Sequence, residues 1–234
     1  MYLISIVAVF SFLAACYFAV PFGIKYILRA LFLIKIPSDE VAYLTFDDGP
    51  DPDYTDALLD VLHSHNVKAS FFVLGSKIAD NPDILVRMVD DGHLIGEHGF
   101  RHLHPWKSAP TSFMADMLKM HRTFKAVNGN NPIRYYRPTY GKLNLINLIY
   151  LSVFRKRVIF WNLDPEDYNC ADSDNIVEFI EQNIRPGSVI LLHDGRNEFS
   201  KYPADITVKA VTRIIEILKN SGYDFKTVDE IYKS

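Results

Sequence analysis

The sequence predicts an α/β protein whose strands are parallel, arranged as a β/α barrel or an open sheet. Short apolar runs rich in β-branched and aromatic residues alternate seven times with helical stretches such as 53–65, 81–92 and 206–222. Strands separated by helices pair in parallel through right-handed crossovers. The predicted strands are VAYLTF (41–46), KASFFVL (68–74), HLIGE (93–97), IRYYR (133–137), RVIFWN (157–162), SVILLH (188–193) and YDFKTV (223–228).

The composition is that of a folded protein without affinity for nucleic acid. The chain has 234 residues, of which 49% are hydrophobic and 23% charged, enough for one sizeable domain with an appendage. A formal net charge of -3 leaves no basic excess to neutralise phosphates, so nucleic acid is excluded as a partner. Cys16 and Cys170 are too few for a disulfide framework. Oligomeric state is left open.

An uncharged apolar segment opens the chain. Residues 1–24 carry no formal charge and are long enough to cross a bilayer as a helix, which Pro21 is expected to end or kink. We interpret 1–24 as an uncleaved, single-pass anchor in the cell membrane. The alternatives are a cleaved secretory signal, a lipoprotein cleavage box at 13–16 and a buried core helix. The absence of a preceding basic residue and the uninterrupted apolarity disfavour all three.

Basic residues follow this anchor. Lys25 and Arg29 lie four residues apart in an apolar stretch, which is typical of an interfacial helix with its basic face toward lipid headgroups, and residues 25–37 are assigned to it. With Lys35, they favour a cytoplasmic position for the following domain under the positive-inside rule; the alternative is an extracytoplasmic one. A polar break beginning at Pro37 marks the boundary, so the soluble domain is predicted to span 38–234.

Unusual polar clusters follow five of the predicted strands. In chain order they are FDDGP, EHGFRH, RPTYG, LDPEDY and HDG. In parallel β/α architectures the carboxyl ends of the strands meet on one rim, where catalytic residues collect. The sequence therefore predicts an active site on that rim.

Two of these clusters contain residue types that bind metals. Alternation along the strand sends the side chains of Asp47 and Asp48 in different directions, so one carboxylate can bind a metal while the other faces a substrate; a simple turn is the alternative. His98 and His102 are four residues apart and can converge on one divalent ion, although such pairs are also ordinary polar surface. Asp48 with both imidazoles would give three ligands and an open position for water.

Five motifs of this chain together resemble those of the NodB-homology polysaccharide deacetylases of carbohydrate esterase family 4. In chain order they are TFDDGP, HGFRH, RPTYG, DPEDY and LLHDG. The resemblance extends from Val41 to about Ile231. It implies a distorted (β/α)7 barrel. It also implies a hydrolase of carbon–nitrogen amide bonds that removes an N-acetyl group from an amino sugar of a polysaccharide, peptidoglycan or lipid-linked saccharide.

The resemblance further implies roles for individual residues. Asp47 matches the general base and Arg137 the arginine that orients it, while His193 matches the general acid and Asp167 the aspartate that tunes it. One divalent ion, zinc with cobalt or manganese as alternatives, would activate a bound water. Its implied ligands are Asp48, His98 and His102.

The resemblance implies fewer residues for substrate binding than for catalysis and metal binding. Tyr140 matches the residue whose backbone N–H helps to hold the oxyanion, and Leu191 with Tyr168 matches the apolar pocket for the acetyl methyl. Gly99 departs from the family pattern, in which serine or threonine is usual, and Thr139 stands where a second proline is common. Outside the motifs, Trp161 is expected in the core or the barrel floor.

Other functions share parts of this pattern. An O-acetyl esterase acting on xylan-like chains has the same motifs. A non-catalytic, membrane-bound binding protein on this fold is disfavoured because Asp47 and His193 are both present. Hydrolysis of cyclic amides by barrel relatives is disfavoured by the intact set of one aspartate and two histidines.

Overall fold

The computed structural model describes residues 2–129, 133–196 and 200–233. Within them the chain forms seven strands, each inside or overlapping a predicted one, so all seven predicted strands are confirmed. Met1 and Ser234, the ends of the predicted anchor and domain, lie outside the described residues. The strands are β1 Val41–Asp47, β2 Ser70–Val73, β3 Leu94–Glu97, β4 Tyr135–Tyr136, β5 Arg157–Val158, β6 Ser188–His193 and β7 Asp224–Phe225.

All strand pairs are parallel, in the order β5-β4-β3-β2-β1-β6, and β7 pairs with the start of β1. After β5, Leu163 forms an isolated parallel bridge with Ile190 of β6, so the sheet curls back on itself. The distorted (β/α)7 barrel implied by the sequence resemblance is confirmed. The strands are very short at β4, β5 and β7, and this irregular part of the sheet accounts for the distortion.

Nine α-helices occur in the described residues, and most of those after β1 are amphipathic. Their apolar faces cover the outside of the sheet, as the crossover connections require. They are α1 Tyr2–Ala14, α2 Val20–Ile34, α3 Thr55–Ser64, α4 Gly75–Asp80, α5 Pro82–Asp90, α6 Pro110–Asn128, α7 Leu145–Val153, α8 Ser173–Asn183 and α9 Asp205–Asn220.

Strand β1 is buried along its whole length and divides the core into two parts. Leu44 and Phe46 pack in one cluster with the outer helices, whereas Tyr43 belongs to a second cluster with Tyr136 and Val189. Successive side chains of a strand point to opposite faces, which is why neighbours on β1 enter different clusters. The same alternation directs residue 45 and residue 47 to the face of Tyr43.

The N-terminal helix does not end at Pro21. It continues from α1 through a π-helical turn, Ala15–Ala19, into α2, and Pro21 lies in the first turn of α2. Proline cannot donate a backbone hydrogen bond and clashes with the carbonyl four residues earlier, so a wider turn just before it accommodates the ring. By length and composition alone, Ser5–Ile34 is the one segment in the described part of the chain that could cross a membrane.

The second half of this helix packs on the domain. Phe32 is 2% exposed, belongs to the second core cluster and lies 6.3 Å from the ring of Phe160. Arg29 Nη2 donates to the backbone carbonyl of Trp161 at 3.4 Å, while Ile27 and Leu31 are exposed. Arg29 therefore faces the domain, whereas Ile27 and Leu31 face outward. Residues 25–34 form part of the folded domain as well as of the helix.

Candidate active site

A cavity of about 360 Å³ opens at the carboxyl ends of the strands, where the polar clusters were predicted to meet. Its volume is within the usual range for ligand sites. Seven of the ten predicted site residues line it. The other three are buried behind the wall: Asp48 lies beside His98 and His102, Arg137 beside Asp47, and Asp167 beside His193. The lining is formed by Asp47, His98, His102, Pro138, Tyr140, Gly141, Lys142, Trp161, Asp164, Tyr168, Leu191 and His193.

The three predicted metal ligands converge. Asp48 Oδ1 lies 3.5 Å from His102 Nε2 and 3.7 Å from His98 Nε2, and one ligand atom from each residue falls within 4.8 Å of the others. Ligand atoms about 2.1 Å from a tetrahedral zinc ion lie about 3.4 Å from each other. The donor set and its spacing therefore fit a divalent ion. Both Asp48 and His102 have left-handed backbones, with φ of 71° and 58°.

His98, a predicted metal ligand, is held in the tautomer that a metal site requires. His98 Nδ1 donates to the backbone carbonyl of Arg137 at 2.9 Å, which leaves Nε2 with its lone pair toward Asp48. Burial lowers the pKa of His98 to about 3, so the ring is neutral at physiological pH. Only neutral imidazole binds a metal ion.

Asp116 of α6 supports the loop that carries His102. Its Oδ2 accepts the backbone N–H groups of Phe100 (2.9 Å) and Arg101 (3.3 Å), and its Oδ1 accepts Arg101 Nε at 2.8 Å. Gly99 precedes this turn with a φ of +88°, a conformation that glycine adopts without strain. Asp116, which the sequence did not identify, thus holds the turn that follows Gly99.

We expect Asp116→Asn to weaken metal binding by about 10- to 100-fold, the usual effect of losing a group that orients ligands. An amide keeps only one acceptor oxygen, so it can replace the bonds of only one of the two carboxylate oxygens, and the loop would lose part of its anchor. Competition with a chromophoric chelator measures the metal Kd. Asp83→Asn on the exposed side of α5 is the matched control. An unchanged Kd in Asp116→Asn would show that α6 does not position the ligands.

The carboxylate of Asp47 is paired with a buried guanidinium. Arg137 is 0% exposed, and its Nη1 donates to Asp47 Oδ1 and to Thr45 Oγ1, each at 2.8 Å. Its guanidinium carbon lies 4.1 Å from the centre of the Phe72 ring. Burial raises the pKa of Asp47, and the charge of Arg137 acts against this rise. The second oxygen, Asp47 Oδ2, lies 3.6 Å from Nε2 of His98, one of the predicted metal ligands.

His193, the last residue of β6, is paired with Asp167. Its Nδ1 donates to Asp167 Oδ1 at 2.7 Å, and its backbone N–H donates to Asp167 Oδ2 at 2.8 Å. Thr207 of α9 donates its hydroxyl to the same Oδ2 at 2.8 Å. Burial alone would lower the pKa of His193, but the Asp167 carboxylate outweighs it and raises the pKa to about 10. The ring is therefore an imidazolium at neutral pH.

The remaining predicted residues form the rest of the wall. Tyr140 has a left-handed backbone, with φ 57° and ψ 15°, and its ring centre lies 4.6 Å from that of His102. Tyr168 presents its ring at 83° to His193, with centres 5.3 Å apart. Leu191 is on β6, two residues before His193, and therefore points to the same side.

Several residues of the site were not identified from the sequence as site residues. Trp161, expected in the core, is half-buried and lines the cavity with Asp164 and Lys142. Thr207 lies behind Asp167. Asp164 begins the DPEDY motif and could have been identified from it, whereas Thr207 lies on a helix without any local signal.

A curled parallel β/α barrel with an Asp-His-His group beside a buried carboxylate and an imidazolium has the features of a metal-dependent hydrolase. Residues 35–151 match the family model described as "Polysaccharide deacetylase". The chain belongs to this family, the NodB-homology proteins of carbohydrate esterase family 4. It is accordingly a carbohydrate N-deacetylase, a hydrolase of amide bonds.

Similar proteins agree with this assignment. A peptidoglycan-N-acetylglucosamine deacetylase of Bacillus cereus is 32% identical over 202 residues, which are 85% of this chain and 92% of that protein. A chitooligosaccharide deacetylase of Sinorhizobium fredii is 33% identical over 193 residues, 80% of this chain and 90% of the relative. A crystal structure of the Bc1960 peptidoglycan N-acetylglucosamine deacetylase superposes with a TM-score of 0.76 at 31% identity, covering 85% of this chain and 91% of that one.

Proposed function

We propose that this protein removes the N-acetyl group from a membrane-associated amino sugar by acid–base catalysis around one divalent ion. Asp48, His98 and His102 would hold the ion, with zinc the first choice and cobalt or manganese the alternatives. The observation that carries the proposal is that a basic carboxylate and an imidazolium, Asp47 and His193, line the same cavity as two of these ligands.

The acid and the base act in sequence. When bound, the divalent ion polarises the acetyl carbonyl and lowers the pKa of a water molecule. Asp47 accepts the proton of the attacking water through Oδ2, because Oδ1 is occupied by Arg137. A carboxylate with a raised pKa is the stronger base while it stays ionised, and the Arg137 charge favours the ionised form.

His193 completes the reaction by protonating the leaving nitrogen. Its Nδ1 is bonded to Asp167, so the proton is delivered from Nε2. An amine departs far more readily than an amide anion, which is why the reaction requires this acid. In the same proposal the backbone N–H of Tyr140 donates to the developing oxyanion. The acetyl methyl contacts Leu191 and Tyr168.

An acetate-release assay on a panel of saccharides tests the proposed activity. The panel comprises chitooligosaccharides, peptidoglycan fragments, N-acetylglucosamine linked through diphosphate to a prenyl chain, and acetylxylan. We expect acetate and a free amine from at least one of the N-acetylated substrates. Faster release from acetylxylan than from all of these would favour the O-acetyl esterase instead. No release from any of them would leave a binding protein on this fold.

We further propose that the N-terminal helix anchors the enzyme in the cell membrane with the active site in the cytoplasm. The support is the apolar segment Ser5–Ile34 and the position of the basic residues after residue 24. Alkaline phosphatase, active only outside the cytoplasm, fused after Ser234 should therefore be inactive, and a fused green fluorescent protein should be bright. Strong phosphatase activity would place the active site outside, with wall or surface polymers as its substrates.

A further inference from the structure

A second, smaller cavity of about 60 Å³ lies between α2 and the rim of the active site. Tyr140, Gly141 and Trp161 line both cavities, so they form a shared wall. The opposite side of the smaller cavity is formed by Lys25 and Arg29 of the N-terminal helix. The active-site rim is thus in direct contact with the helix that we assign to the membrane.

Three cations surround this shared wall. Lys25 and Arg29 approach it from α2, and Lys142 follows Gly141 and lines the larger cavity. Among the residues described by the structure, no carboxylate lies within 4.0 Å of any of the three charged groups. Each is half-buried. The polar contact of Arg29 is with the carbonyl of Trp161, and Lys142 Nζ contacts the neutral nitrogen Nε2 of His104 at 3.2 Å, so neither contact supplies a negative charge.

Such an arrangement is unfavourable without a counter-ion. Like charges repel more strongly in a half-buried site than in water, because the effective dielectric constant is lower. Elsewhere in the protein buried cations are paired, as Arg137 is with Asp47 and Lys156 with Glu97. A cluster of three cations beside the rim, without a carboxylate partner among the described residues, therefore indicates an anionic ligand. Arginine and lysine are the side chains that bind phosphate oxygens.

We propose that Lys25, Arg29 and Lys142 bind a phosphate group carried by the sugar substrate. The substrate class is then a glycosyl phosphate or diphosphate attached to a membrane lipid. This inference rests on the proposed deacetylase function, which it makes more specific. The lipid would remain in the bilayer, beside the exposed apolar residues Ile27 and Leu31 of the same helix. The sugar would extend past Trp161 into the catalytic cavity.

The experiment compares two substrates on the full-length protein in neutral detergent micelles. One carries N-acetylglucosamine on a prenyl diphosphate, and the other carries the same sugar on a neutral octyl chain. We expect the wild type to prefer the diphosphate. In Arg29→Gln and Lys25→Gln the ratio of kcat/KM between the two substrates should fall by about tenfold, the loss expected for one charge-assisted hydrogen bond. Lys35→Gln, an exposed lysine at the end of the same helix, is the matched control.

Binding of inorganic pyrophosphate, followed by calorimetry, separates this inference from the deacetylase proposal. Loss of pyrophosphate binding in Arg29→Gln, without acetate release from any sugar, would overturn the activity and retain the anion site. Equal kcat/KM of the wild type for both substrates, with no pyrophosphate binding, would overturn the anion site and retain the activity. Competition by phosphatidylglycerol but not by pyrophosphate would assign the cluster to anionic headgroups and overturn the substrate assignment.

Discussion

Removing divalent ions with a chelator is expected to abolish acetate release completely, and adding back zinc, cobalt or manganese should restore it. The reason is geometric: one donor atom each from Asp48, His98 and His102, the proposed ligands, lie within 4.8 Å of one another, close enough to bind one divalent ion together. Without the ion, neither the carbonyl nor the attacking water is activated. An acetate-release assay measures the loss and recovery of activity, and mass spectrometry measures the metal content.

Substitutions of the proposed ligands test the assignment residue by residue. Asp48→Asn and His102→Gln should each lose bound metal and activity together, whereas His63→Gln, on the exposed side of α3, should lose neither. The metal that restores the highest activity at the lowest concentration identifies the native ion. Full activity of metal-free protein would refute the ligand assignment.

The second large effect concerns the acid and the base. Asp47→Asn and His193→Ala should each lower kcat by about 10²- to 10⁴-fold, the usual contribution of a positioned proton-transfer group. Metal content should stay near that of the wild type, because neither residue is a proposed ligand. Asp53→Asn, an exposed aspartate near the same turn, is the control for loss of charge. A wild-type kcat in Asp47→Asn would show that another group takes the proton.

The pH profile identifies which group is the acid. Because the Asp167 carboxylate raises the pKa of His193 to about 10, the imidazolium persists through neutral pH and is lost only as the pH rises toward that value. On the alkaline side, wild-type kcat should therefore fall only as the pH approaches that value, separately from the acid limb that protonation of Asp47 produces. In Asp167→Asn burial is no longer outweighed, so the fall should move to lower pH. If the alkaline limb stays in place in Asp167→Asn, His193 is not the acid.

The sequence predicted the features that depend on neighbouring residues, namely the strands and the polar clusters at their ends. Apolar runs marked all seven strands, and the polar clusters at their ends marked the site, because the ends of parallel strands meet on one rim. Side chains that act across long separations were not predicted. Thr207 reaches Asp167 from 40 residues away, and Asp116 lies 16 residues from Phe100, on helices whose rotation depends on packing.

The N-terminal segment is a second case in which the sequence did not predict a contact with a distant part of the chain. Its apolarity was evident in the sequence, but the direction in which Lys25 and Arg29 point depends on what the helix packs against. The pattern of two basic residues four apart is equally compatible with either face. Only the contact of α2 with the domain, through Phe32 and the carbonyl of Trp161, determines it. The periodicity of a sequence shows which residues share one face of a helix, but it does not show what that face packs against.

The burial of Phe32 has a practical consequence for preparing a water-soluble enzyme. A truncation at the predicted domain boundary, Ser38, would remove this ring and expose the surfaces of Phe160 and Tyr232 that it covers. Loss of a buried phenylalanine side chain commonly costs about 3–5 kcal/mol, a large share of the stability of a small domain. A secreted or recombinant form should therefore begin near Pro21, with polar residues replacing the outward-facing Phe22, Ile27 and Leu31.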